Sequence, residues 1–498
     1  MQRRDFLKKS ISTIATAGVS SALLGTASTF ASPSYDWKLG WKSVEQDSFS
    51  ALNMQIHGHI PKQLNGAFFR NGPAKLARNG VRYQHWFDGD GMIQKFEINN
   101  GRVTHTGKYV HTNKYVQEEQ AQRFLYNGAG TALANSEPTR NNDSINTANT
   151  ALQVWDNELL ALWEGGSATS VNPNDLSTKG LKTWHEKLAN MPFSAHPLID
   201  EKGNMWNFGF APYAGKTGKI VVYHIAPKEG LKNTQIIDMP FKGYMHDFAQ
   251  TNESLIFLVP PFTFTKPGGK TFIDGFQWQE QLSSRLLVVN KSDLSQQKWF
   301  ELPAGFVFHF GHATQQGANL QVNMCWYENG EIMQHDMPKL MATGNLAKSN
   351  LAAAATVVAN LQTGKATLVK SETNLEFPEF NNSMLNQDSN VFGVNRSKQS
   401  SGHADTLMNW SPYQGEIDSY RYPAGVMVEE PILVSAKETS SSNNAHAGYI
   451  LQTYLDLGSK KQSGVNVFEA NNLAAGPIGQ ASMERTLPLG FHGTFMAA

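Results

Sequence analysis

The sequence predicts an all-β fold built from antiparallel sheets, and three observations carry that expectation. Short β-branched and aromatic runs recur along the chain, Gly- and Asn-containing turns separate them, and few windows have the spacing of an amphipathic helix. The runs include Glu158 to Trp163, Lys219 to His224, Ser254 to Val259, Arg285 to Val289, Leu320 to Cys325 and Gly448 to Tyr454. Pairs such as Asn71-Gly72, Asp88-Gly89 and Gly165-Gly166 punctuate the chain. With 28 Phe, 14 Tyr, 11 Trp and 42 Gly in 498 residues, a large aromatic core joined by turns is the composition's natural product. Strands this numerous without helical crossovers must close on themselves or repeat radially, which favours a propeller, although no strict internal repeat is visible.

The first thirty-one residues stand apart from the fold. Arg3-Arg4-Asp5-Phe6-Leu7-Lys8 is a twin-arginine pair followed by Phe-Leu-Lys. A weakly apolar run from Ile11 to Ala27 follows, then Thr29-Phe30-Ala31 as a small-residue cleavage site. The expectation is a twin-arginine signal peptide at 1–31, a single domain at 32–498 and a periplasmic location. The competing reading is an ordinary basic N-terminus on a secretory or anchor segment, and the Ser, Thr and Gly in the run argue against a spanning helix.

Further along, the window 345–359 reads as a helix whose second half equally suits a strand. Ala436 to Asn444 is polar and reads as a surface loop. Phe262-Thr263-Phe264 follows Pro260-Pro261. These aromatics either pack locally or form a non-polar lip for peripheral membrane contact and capture of a lipophilic small molecule.

Charge and cysteine content narrow the function. The 42 basic and 42 acidic side chains balance, so no field gathers phosphate backbones and no nucleic-acid partner is expected. A single cysteine, Cys325, rules out an intrachain disulfide and any multi-cysteine metal site, leaving histidine and carboxylate as ligands. Cys325 itself reads as a small buried apolar residue. No feature fixes an oligomeric state.

Four of the 15 histidines have distinctive surroundings: His196 in Ser194-Ala-His-Pro197, His246 in Tyr244-Met-His-Asp-Phe248, His309 in Phe306-Val-Phe-His-Phe310, and His492 in Leu489-Gly-Phe-His-Gly493. Each stands at an apparent strand edge, and no local zinc motif accompanies them. A radial fold could point all four at its axis; the plainer alternative is four half-buried rings satisfied by backbone. Asp88-Gly-Asp90-Gly looks metal-like but lacks the later ligands of a calcium loop, so the turn is read as structural.

Several segments, taken in order, resemble the carotenoid cleavage oxygenase family, which also includes stilbene-cleaving dioxygenases and the retinal-pigment-epithelium isomerase. They are Gly66-Ala-Phe-Phe-Arg70-Asn-Gly-Pro73, His85-Trp-Phe-Asp-Gly-Asp-Gly-Met92, Asn146-Thr-Ala-Asn149-Thr150, the contexts of His196 and His246, and Gly490-Phe-His-Gly493. The resemblance implies a seven-bladed β-propeller with a cap of loops and short helices over an axial metal site. It implies Fe(2+) as cofactor and O2 as co-substrate, with His196, His246, His309 and His492 as ligands. At the third position His312 is the alternative, because the family has an Asn three residues after the ligand. Glu164, Glu376 and Glu430 look like the family's three carboxylates that accept hydrogen bonds from ligand imidazoles, a role that fixes ring tautomer and raises basicity; each could otherwise be an exposed turn residue. Where many members carry an acidic run, this chain reads Ala445-His446-Ala447.

The activity so implied is oxidative scission of an alkene to two carbonyl products. Stilbene-cleaving members carry a phenol-binding Lys whose nearest counterpart here is Arg123. Since an arginine is a poor substitute for that lysine, a carotenoid or apocarotenoid is expected rather than a stilbenoid or phenylpropanoid. A non-catalytic periplasmic propeller that binds a lipophilic ligand, and an isomerase or hydrolase on the same iron site, are the remaining readings.

Overall fold

Seven antiparallel sheets stand around one axis, each running from an inner to an outer strand, and together they make a seven-bladed β-propeller. The computed structural model describes residues 35–265, 268–344, 350–381, 389–398, 400, 402–435, 448–458 and 461–498. Of these, Asp36–Ala498 form one compact unit. The leader reading for 1–31, positions 345–349 of the helix window, the loop reading for 436–444 and the departure at 445–447 all fall outside the described residues.

Both ends of the chain close the ring. Blade one is built from Ser48–Asn53, Gly66–Lys75, Asp90–Asn99 and Arg102–Tyr109, and takes the last strand, Gly493–Ala497, as its innermost member. Blade seven, formed by Val426–Ser435, Gly448–Asp456, Gln462–Glu469 and Gly479–Met483, takes the early strand Gln55–Gly58 at its outer edge. Each terminal blade therefore contains chain from the other end, so opening the ring breaks two ladders at once.

Blades two to six have four strands each and follow in chain order. Their inner strands are Ala151–Trp155, Leu198–Ile199, Ala249–Gln250, Phe306–Gln316 and Glu376–Glu379. All six strand runs read from the sequence are strands, with ends shifted by a residue or two. In the window 345–359 the strand alternative holds for the second half, where Ala353–Asn360 is a central strand of blade five; Ala, Thr and Val at 354–357 are buried between neighbours.

The core lies between blade faces. One aromatic cluster joins Trp206 and Phe208 of blade three to Phe257 and Leu287 of blade four and Phe306 of blade five. Another joins Phe68 and Phe96 of blade one to Ile432 and Val465 of blade seven. Large aromatics suit this task, because radial blades diverge and only bulky side chains fill the wedge. Cys325 is buried in the first of these clusters, as a small apolar residue would be.

The Asp88-Gly-Asp90-Gly turn is structural, but it reaches further than its own loop. Asp88 accepts from the Gly130 amide at 2.9 Å and the Thr131 hydroxyl at 2.5 Å. Asp90 pairs with Lys114 at 2.8 Å and Arg78 at 3.0 Å. These buried ion pairs anchor the helix Asn113–Ala121 to blade one.

Phe262–Phe264 pairs with Phe276–Trp278 in a short hairpin. Phe262 and Thr263 are buried and only Phe264 is part-exposed, so the local-packing reading describes this segment. The exposed aromatics near it are Phe272 and Tyr213.

Candidate metal centre

Every blade sends one of the seven singled-out side chains to the axis. His492 directly precedes the inner strand of blade one, His196 and His246 stand just before those of blades three and four, and His309 lies within that of blade five. Blade two supplies Glu164, two residues past Glu158–Leu162, while blades six and seven supply Glu376 and Glu430 from their inner strands. An inner strand that starts or bulges at the axis can aim one side chain inward. The pairing of Phe306–Gln316 slips on both sides of Phe310, next to His309.

The four imidazoles converge. One ring nitrogen from each lies within 4.8 Å of the others, a group that could hold a metal ion. Nε2 of His196 faces Nε2 of His246 at 3.0 Å, and Nε2 of His309 faces Nε2 of His492 at 3.2 Å. His312, the register alternative, is outside this group and lies beside Phe380, with ring centroids 5.4 Å apart.

The other ring nitrogens are held by carboxylates. Nδ1 of His309 meets Glu376 at 2.5 Å and Nδ1 of His492 meets Glu430 at 2.7 Å; Nδ1 of His246 meets Glu164. A ring that donates from Nδ1 to a carboxylate presents the Nε2 lone pair to the centre. His196 differs: its nearest acid is Asp247, at 4.0 Å from Nδ1. None of the three glutamates is an exposed turn residue.

Each glutamate has a further partner that the sequence reading did not single out. Tyr244 donates to Glu164 at 3.0 Å, Tyr327 hydrogen-bonds Glu376, and Arg70 reaches Glu430 at 2.7 Å. Arg70 also donates to the Phe491 carbonyl at 3.1 Å, and Gly493 N–H donates to Glu430 at 2.8 Å. Blade one, blade seven and the C-terminal segment are thus clamped at one point. The signal for Arg70 was its place in a quoted motif; nothing in the sequence tied Tyr327 to Glu376.

Electrostatics agree with a cation at the centre. Burial, with the three facing imidazoles adding to it, holds the His196 ring well below its usual pKa. Burial also brings His492 down to about 4 against the pull of Glu430. For His309 the Glu376 carboxylate outweighs burial and raises the ring. Glu376 and Glu430 are held below their usual range, because the facing imidazoles overcome the cost of burial. Lone pairs facing at about 3 Å repel unless a positive centre lies between them, and two nitrogens each ~2.1 Å from a metal at a right angle stand about that far apart. The donor set fits a divalent transition metal.

Two cavities meet here, open at their mouths and measuring about 1140 Å³ and about 1570 Å³ with that open solvent included. Phe87, Thr150 and His246 border both. Thr150 ends the Asn146-Thr-Ala-Asn149-Thr motif, and Asn149 donates to the carbonyls of Phe87 and Gly89 at 2.8 and 2.7 Å, which fixes that wall. Aromatic rings line the junction: Phe308 is 5.3 Å from His246 and Phe377 is 5.1 Å from His309. Arg123 borders neither cavity. It pairs with Glu137 at 2.7 Å on the surface, so the suggested counterpart of a phenol-binding lysine is not at the site. Replacing Glu376 by Gln is expected to lower metal affinity by about 10- to 100-fold with the fold intact, read by titration of the apo-protein with metal.

The comparisons with known proteins agree with this architecture. A family model described as retinal pigment epithelial membrane protein matches residues 41–497. A carotenoid 9,10(9',10')-cleavage dioxygenase from Pisum sativum is 27% identical across 93% of this chain and 90% of its own length. Isoeugenol monooxygenase from Pseudomonas nitroreducens is 23% identical across 91% and 95%. The structure of cobalt-substituted Synechocystis apocarotenoid oxygenase superposes with a TM-score of 0.82 at 23% identity, covering 93% of this chain and 98% of that one.

Proposed function

Because the chain belongs to the retinal pigment epithelial membrane protein family, that of the carotenoid cleavage oxygenases, we propose that it is an iron(II) dioxygenase that cleaves a carbon–carbon double bond of a carotenoid or apocarotenoid to two carbonyl products. Relatives named as oxygenases and dioxygenases make it an oxidoreductase. His196, His246, His309 and His492 would hold the iron, with Glu164, Glu376 and Glu430 orienting three of the rings. Bound there, Fe(2+) supplies an open coordination position at which O2 can be activated.

The observation that carries this reading is the meeting of two cavities at His246, one of the four converging imidazoles, with His309 and His492 also bordering one of them. A long polyene can lie past the metal on both sides, with one bond at the junction. Phe308, Phe377, Phe491 and Trp86 line one arm and exclude water from the reacting bond. No side-chain nucleophile or free general base is needed: each of the three carboxylates is already engaged by an imidazole and a second donor. The chain's own contribution is positioning and dryness.

The named isoeugenol monooxygenase favours a second reading, a phenylpropanoid or stilbenoid alkene on the same centre. We further propose export by the twin-arginine pathway to the periplasm, on the basis of Arg3-Arg4 and the run after it. Phe272 and Tyr213, beside the 1570 Å³ cavity, are the aromatics suited to peripheral membrane contact there. Incubation of iron-loaded protein with apocarotenals and stilbenoids under labelled dioxygen tests the function. Label in both carbonyl products of an apocarotenal is expected; unlabelled products, their oxygen drawn from water, or isomerised substrate, would replace oxidative cleavage by hydrolysis or isomerisation, and negligible iron after reconstitution would leave a binding propeller.

A further inference from the structure

The wall of the 1140 Å³ cavity is mixed in character. Aromatic rings line it beside the imidazoles, and Asn350, Asn374, Arg396 and His403 add a polar part to the same wall. Asn374 and Arg396 also border an outer pocket with Glu372 and Lys398, which places this part towards the surface.

His403 is the unusual member. It is only 5% exposed, its ring packed by Trp37 at 4.4 Å and Trp41 at 5.9 Å between centroids. Burial draws the ring down to about 4, so it is neutral near pH 7. Its hydrogen bond to the Gly344 backbone favours the protonated ring, so there the ring N–H donates to a carbonyl. Nε2 therefore keeps a lone pair, and it has no partner. Across the same cavity the Asn350 amide nitrogen also has none. Arg396, 7% exposed, gives one N–H to the Gly402 carbonyl at 3.1 Å and adds a donor-only group. The buried His403 acceptor and the buried Asn350 donor left unmet are costly, and a neutral group that both donates and accepts meets both needs.

We propose that this polar part of the cavity is a subsite for a terminal hydroxyl group of the substrate, which donates its proton to His403 Nε2 and accepts from the Asn350 amide or the Arg396 guanidinium. A carbonyl can only accept, and would leave the His403 lone pair unmet. A carboxylate would face that lone pair directly. The subsite rests on the functional reading above and deepens it: anchoring one hydroxylated end fixes which double bond stands at the metal.

The test uses two substrate pairs, each differing only in a hydroxyl replaced by hydrogen: a ring-hydroxylated apocarotenal with its parent, and a phenolic phenylpropene with its parent. The wild-type protein is expected to cleave the hydroxylated member of one pair with kcat/KM about 10- to 100-fold above its parent. Which pair responds distinguishes a polyene from a phenylpropene. His403→Phe, which keeps an aromatic ring beside Trp37 and Trp41, and Asn350→Leu are each expected to bring that ratio near unity. Equal rates in the wild type, or a preference that survives both substitutions, overturns the subsite. If neither pair is cleaved, the functional reading fails instead. Quenching of tryptophan fluorescence by the same compounds then decides the subsite: tighter hydroxyl binding abolished by His403→Phe supports it, and equal affinities refute it.

Discussion

Replacing His246 by Ala is expected to yield a folded protein that neither retains iron nor cleaves substrate. His246 is buried between Glu164 and the Nε2 of His196, so the substitution removes one of four donors. Loss of an outer carboxylate alone costs about 10- to 100-fold in metal affinity or activity, so loss of a donor should exceed that range. The fold should survive, because the aromatic cluster of blades three to five is built without His246 and Tyr244 still bonds Glu164. Iron content by elemental analysis and thermal unfolding with and without Fe(2+) check both halves. Wild-type protein should gain stability from the metal and His246→Ala should not, since only a ligand that binds the folded state stabilises it. His312→Asn is the matched control: it should keep its iron, because His312 lies beside Phe380 and outside the four-imidazole group.

Truncation after Gly490 is expected to do more damage than any single substitution at the centre. It removes Phe491, His492 and the strand Gly493–Ala497, which is the innermost strand of blade one and pairs with Gly66–Arg70. It also strips Arg70 of the Phe491 carbonyl and Glu430 of both His492 and the Gly493 amide. Arg70 and Glu430 are buried, so the loss leaves charge poorly satisfied inside the ring in addition to an open sheet edge. Low soluble yield and a broadened, early thermal transition are expected. His492→Ala in the full-length chain separates the two effects: it should lose iron yet melt as one transition, as His246→Ala does. A truncated protein with full activity would show that the fourth donor lies elsewhere.

The strands and the four histidines were legible because their signals are local. Short apolar, β-branched and aromatic runs bounded by turn residues mark strands such as Ser254–Val259 wherever they end up in space. His-Pro, His-Asp-Phe and Phe-His contexts at apparent strand edges singled out His196, His246, His309 and His492 before any geometry was known. Local signals fail where a partner lies in another blade. Tyr327 is 49 positions from Glu376 in sequence, and Arg70 is 360 from Glu430, yet each pair touches. Likewise, Phe262 and Phe272 are both aromatic, and only their packing separates a buried ring from an exposed one.

By itself the sequence determined the chemistry available: one cysteine, balanced charge, histidine and carboxylate as the candidate ligands, and strands numerous enough to demand radial closure. Tertiary structure alone decided which groups meet. It set His309 rather than His312 on the axis, sent Arg123 to the surface, and placed His403 and Asn350 in one cavity wall. The physical reason is that residue type and strand period are properties of neighbours in the chain. Convergence on an axis depends instead on how seven sheets twist, bulge and close, which no local stretch encodes.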